Sequence, residues 1–175
     1  EPVARPVRIE PAFEDREYVR SLFDRGSPYP VLGVYVPDGV ETPAGGPSSG
    51  SVMPWFRGNW AVGGEPCLDG VEPILFNERF LAASEKCFGT KVVRPRTVVV
   101  NLTTPMPAGA PHVDIPSFRG ATRAHYSLRF LAAMGESKLF EPWRVVEAGA
   151  ISWFYDGPGG RFDYWPDGLD GQMSS

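Results

Sequence analysis

Thr97-Val98-Val99-Val100-Asn101-Leu102-Thr103 is followed, after a Pro- and Gly-rich turn over 105–111, by Pro111-His112-Val113-Asp114-Ile115-Pro116. The first run is dense in β-branched residues, whose stiff side chains pack well on a pleated surface. It is expected to form a strand buried on both faces or nearly so. The second segment is apolar except at two positions. If it is also extended, His112 and Asp114 stand two residues apart and point to the same side. An imidazole and a carboxylate so placed can reach one ion, and a nitrogen donor beside a hard oxygen donor suits Fe(II) or Mn(II). The plainer alternative is a loop histidine next to a turn or cap carboxylate.

Upstream, 72–88 fits a helix, because Phe76, Phe80, Ala83 and Cys87 recur every three or four residues and Gly89 offers a stop. A shorter amphipathic helix over 11–25 carries Phe13, Val19, Leu22 and Phe23 and ends at Gly26. Residues 31–36 suit a strand. Residues 37–50, with PDG, PAGG and PSSG, form a loop and are the candidate closing segment. Trp55, Phe56 and Trp60 follow it, as a lid wall or as core. Downstream, 121–134 is helical by pattern, with Tyr126, Phe130, Leu131 and Met134 on one side. Residues 143–153 suit a strand, joined through the turn at 156–160 to 161–165 as a hairpin. Trp153, Tyr155, Phe162, Tyr164 and Trp165 lie across that hairpin, either as cross-strand packing or as a stacking platform for a planar or sugar ligand. Helices come first and strands crowd the second half, which predicts an α+β fold around an antiparallel sheet in one domain over 1–175.

Bulk composition narrows the function. With 17 Lys and Arg against 21 Asp and Glu, the net charge is −4 and no basic run occurs, which argues against a nucleic-acid partner. No apolar run approaches the ~18 residues of a membrane span. Cys67 and Cys87 are too few for a disulfide framework and match no zinc spacing, so two semi-buried thiols in a reducing, cytoplasmic setting are expected. No phosphate-cradling Gly-rich loop precedes a helix, and no serine sits in a nucleophile elbow.

The helix over 76–88, the strand over 96–102 and Pro111-His112-Val113-Asp114-Ile115-Pro116 together resemble the Fe(II)- and 2-oxoglutarate-dependent oxygenases of the double-stranded β-helix fold, the phytanoyl-hydroxylase-like members in particular. The resemblance spans 75–165, and its specific part is the H-x-D with its flanks. It implies a jelly-roll or cupin-like core with flanking helices, Fe(II) held by His112 and Asp114, and 2-oxoglutarate as co-substrate. Asn101 and Thr103 share one strand face and would hydrogen-bond the 2-oxoglutarate carboxylate or the substrate if that face lines a barrel; a polar face toward solvent is the alternative. Arg123, with Arg119 and Arg129 nearby, would meet the anionic co-substrate, although a solvated helix face explains the same residues. The family also uses a distal histidine followed by an arginine. No histidine follows His125, so on this resemblance either the C-terminal strands that would carry them lie beyond Ser175, or the third ligand is unusual, or the fold no longer binds iron. His125, in the predicted helix, is a weaker candidate for the third ligand.

The expected activity is hydroxylation or desaturation of a small organic substrate. Asp114, where halogenating members have Gly or Ala, leaves no vacant halide position. Two further readings stand beside this one. One is a metal-free β-sandwich or barrel module that binds a ligand through the hairpin aromatics. The other is a cupin-type metalloenzyme with two histidines and a carboxylate but no 2-oxoglutarate.

Overall fold

The computed structural model describes residues 6–32, 55–103, 114–122, 125–154, 162–167 and 170–175. The chain divides into two compact units, 1–110 with 151–175, and 111–150.

In the first unit, helix α1 spans Arg16–Arg25. It begins later than 11 because the Asp15 carboxylate accepts the Tyr18 N–H at 2.8 Å, which makes Asp15 the N-cap. Gly26 ends it, as expected. Three strands follow, β1 at Val31–Leu32, β2 at Trp55–Val62 and β3 at Glu65–Pro66. Gly63 and Gly64 both have positive φ, at 66° and 94°, as a two-residue hairpin between β2 and β3 requires. Only the first two residues of the strand expected over 31–36 are described, and the candidate closing segment at 37–50 lies outside the described residues.

The helix expected over 72–88 is two helices, α2 at Glu72–Leu75 and α3 at Glu78–Phe88. Asn77 breaks it. Its side-chain oxygen accepts the N–H groups of Arg79 and Phe80, both at 3.1 Å, and its amide nitrogen donates to the Ala12 carbonyl at 3.0 Å. A short polar side chain that offers the backbone such bonds competes with helix continuation. Gly89 closes α3 in the left-handed conformation, at φ 62°. Asn77→Ala should therefore cost about 1–2 kcal/mol, the upper part of the N-cap range, because it also loses the tie to Ala12. Urea unfolding checks this, and a midpoint unchanged from wild type would refute the assignment.

Strand β4, Val98–Thr103, runs antiparallel to β2 along its length, from Trp55 opposite Thr103 to Ala61 opposite Val98. β1 and β3 share the other edge of β2, at its two ends. Between them the middle of β2 has no strand partner on that side among the described residues. A bulge between Asn59 and Ala61 allows consecutive residues, Trp60 and Ala61, both to be buried. They form one core with Leu22, Val71, Leu75 and Val100. The expectation that β4 is buried on both faces is corrected. Only Val100 is buried, while Val99 and Leu102 are 39% and 37% exposed, because among the described residues core packs on one face of the sheet only.

In the second unit, strand β5, Ser117–Phe118, pairs antiparallel with β6, Arg144–Val145. Helix α4, Leu128–Ser137, packs Leu131 and Met134 against Phe118 and Ala121. This helix starts seven residues later than the pattern over 121–134 suggests. Ser127 Oγ caps it by accepting the Phe130 N–H at 3.3 Å, and the N–H groups of His125 and Tyr126 turn back to the Thr122 carbonyl. The strand expected over 143–153 is reduced to β6. The hairpin turn falls largely outside the described residues, and Tyr164 bridges instead to Ser174 in the polar tail.

The fold is therefore mixed α+β, with three helices of ten or eleven residues and small antiparallel sheets among the described residues. No described helix is long and apolar enough to cross a membrane.

Candidate functional site

Asp114 is exposed, in chain without regular structure that leads into β5. The strand expected over 112–116 is not formed at 114–116. Pro116 has no N–H to give a ladder, and pairing begins only at Ser117. Among the described residues the Asp114 carboxylate has no hydrogen bond and no ion pair. His112 and Val113 lie outside the described residues, as does Arg123. His125 is not in a helix. It is exposed in the turn before α4, with Nδ1 3.3 Å from Thr122 Oγ1. Arg119 and Arg129 are exposed. Among the described residues no three His, Cys, Asp or Glu side chains converge on one point.

Asn101 and Thr103 belong to the other compact unit. Both are exposed on β4, on the face opposite Val100. Asn101 lies directly across from Arg57 on β2, and its side-chain oxygen accepts the Arg57 Nε–H at 2.8 Å. Cys67 and Cys87 are free and exposed, not semi-buried. The aromatics of the tail do pack together: the Trp153 and Phe162 rings lie 6.2 Å apart edge-on, and Phe162 and Tyr164 are stacked at 6.2 Å.

The residue reading did not foresee a cleft in the first unit. It holds about 330 Å³ beside the middle of β2, and Arg25, Gly26, Arg57, Gly58 and Trp60 line it, with Pro28 and Pro30 beside them. The sequence signal for it is slight, because its lining residues come together only once β2 is placed. Trp60 is 2% exposed, and its Nε1 is buried with no hydrogen-bond partner of acceptable geometry. The Tyr29 hydroxyl, which donates to the Phe23 carbonyl at 2.9 Å, is the polar neighbour of that N–H.

Burial raises the Tyr29 phenol above its ordinary 10.0, the neighbouring Trp60 N–H acts in the opposite direction, and Asp24 adds to the rise. The folded state therefore resists ionisation of Tyr29 more than the unfolded chain does. This contribution to stability is complete below the unfolded pKa of 10.0 and is lost as pH rises through the higher folded value. Stability measured across the alkaline range should show this loss in wild type and not in Tyr29→Phe. An identical alkaline profile in the two proteins would refute it.

No protein-family model, curated protein or solved structure matches this chain.

Proposed function

We propose that the chain carries the metal-binding part of a non-haem Fe(II)- and 2-oxoglutarate-dependent oxygenase, built on a double-stranded β-helix core, that hydroxylates or desaturates a small organic substrate. The observation behind this reading is the Asp114 carboxylate: solvent-exposed, without a partner among the described residues, and two residues after His112. A structural aspartate would ordinarily spend its oxygens on a cap, a turn or a cation. An uncommitted carboxylate beside a histidine suits a hard divalent ion and leaves further coordination positions for the co-substrate.

Within this reading His112 and Asp114 bind Fe(II). Arg123, in the same unit, binds and orients 2-oxoglutarate through a carboxylate. Fe(II) with 2-oxoglutarate supplies the oxidative chemistry, and the protein contributes positioning and exclusion of water.

The test is an anaerobic Fe(II) titration of the protein, followed by 2-oxoglutarate and oxygen with succinate as the readout. Retained iron with 2-oxoglutarate consumption supports the oxygenase. Iron retained without 2-oxoglutarate binding assigns the cupin-type alternative instead. Failure to retain Fe(II) or Mn(II) overturns both and leaves a metal-free binding module.

A further inference from the structure

We infer that the outer edge of β4 is a self-pairing surface, through which two copies of the chain join their sheets by antiparallel β4–β4 contact. The inference does not depend on the oxygenase reading, since it involves neither His112 nor Asp114.

β4 pairs with β2 on one side, and on its other side no strand pairs with it among the described residues. The direction of its backbone groups follows from two bonds on its neighbours. The Arg57 N–H donates to the Pro30 carbonyl at 3.0 Å, on the β1 side of β2. Phe56 and Gly58, one residue to either side of Arg57, therefore turn their N–H and C=O groups toward β4, where they lie opposite Leu102 and Val100. The Arg96 carbonyl, which accepts the Gly64 N–H at 2.7 Å, points the same way. Counting along the strand in steps of two, Thr97, Val99, Asn101 and Thr103 present their backbone groups to the outer edge.

Edges of this kind are ordinarily blunted by charge, proline or a bulge. From Thr97 to Thr103 there is no charged residue and no proline. The bulge in this ladder lies on β2 and leaves β4 regular. Val99 and Leu102 stay exposed. Pro95 and Pro105 flank the run and confine pairing to it.

The order of residues selects a second copy as the occupant. Thr97-Val98-Val99-Val100-Asn101-Leu102-Thr103 reads nearly alike from both ends about Val100. A two-fold axis through Val100 sets Thr97 against the partner's Thr103, Val98 against the partner's Leu102, Val99 against the partner's Asn101, and Val100 against its own copy. The residues with outward backbone groups then face one another as hydrogen-bonded pairs, and Val100 takes a non-hydrogen-bonded position, where side chains come closest. An axis between two residues would set outward groups against inward ones. Val98, Val100 and Leu102 form one apolar row across the axis, and a Thr–Thr pair closes each end. An unrelated extended peptide would gain the backbone bonds without this side-chain match. A seven-residue contact is small, so the association is weak and depends on concentration.

The experiment is sedimentation equilibrium of the protein in chelator and reductant. The mass should rise from one chain toward two as concentration increases, and stop there. Val99→Pro removes an outward N–H from each copy and keeps the ladder to β2, so it should weaken association at least about tenfold. Val99→Lys and Val99→Glu should each weaken it as well, because in this register the two copies of residue 99 are diagonal neighbours on one face, about 7–8 Å apart. An equimolar mixture of those two variants should associate about fivefold more tightly than either alone, a recovery that misfolded variants would not give. A single-chain mass at every concentration would leave the edge to some other strand and overturn the assignment. So would growth past two copies, association unchanged in both Val99→Pro and Val99→Lys, or a mixture no tighter than its components. Because the measurement is made without metal, its failure leaves the oxygenase reading standing, and loss of Fe(II) binding leaves this edge standing.

Discussion

Trp60→Ala is expected to destabilise the protein by about 3–5 kcal/mol, a large part of the roughly 5–15 kcal/mol that a domain has in total. The indole is 2% exposed and sits among Leu22, Ala61, Val71, Leu75 and Val100, with the Phe23 ring edge-on at 5.0 Å. Removing it deletes the largest apolar surface in the cluster and opens a cavity between α1 and the sheet, at the position where the bulge directs β2 inward. Trp60→Phe should cost much less than its lost volume suggests. It keeps most of the ring and also removes a buried, unpartnered N–H, which itself costs about 1–3 kcal/mol. The measurement is urea unfolding, read as a lower midpoint with an unchanged slope. A Trp60→Ala midpoint within error of wild type, or Trp60→Phe as damaging as Trp60→Ala, would contradict this account of the core.

Some of the fold was legible in the sequence and some was not, for physical reasons that differ from element to element. β4 announced itself because Val98, Val99 and Val100 have strong strand preference whatever surrounds them. The ends of α1 and α3 were legible because Gly26 and Gly89 terminate helices locally. β2 was not legible, although it is the strand that all the others in its sheet pair with. Gly58 and Asn59 are poor strand formers, and the bulge buries Trp60 and Ala61 in succession, so the period-two pattern that marks a strand is lost. The helix over 72–88 was read as continuous because apolar spacing persists across Asn77, while the capping bonds that break it depend on the side chain turning back on its own backbone. Pro116 similarly delays the strand that spacing placed at 112–116. The cleft was the least legible feature, because Arg25 and Arg57 come from a helix end and the middle of a strand.

Asp114→Asn is expected to abolish iron retention with little effect on folding. The exchange preserves size and removes the negative charge, and the amide oxygen that remains is a weak donor to a divalent ion. Loss of an outer partner of a metal ligand typically costs about 10–100-fold in affinity, so loss of a ligand charge should exceed about 100-fold. Stability should stay within about 0.5 kcal/mol of wild type, because an exposed side chain without a partner among the described residues has little to lose. That split between affinity and stability is the informative result. A capping or turn aspartate would behave in the opposite way, lowering the unfolding midpoint while leaving Fe(II) retention as in wild type. On the oxygenase reading both residues hold one ion, so His112→Ala should match Asp114→Asn in iron retention. If Asp114→Asn retains Fe(II) as wild type does, then the H-x-D spacing is incidental. The chemistry of the chain would then have to be sought in the unit that contains Arg25, Arg57 and Trp60.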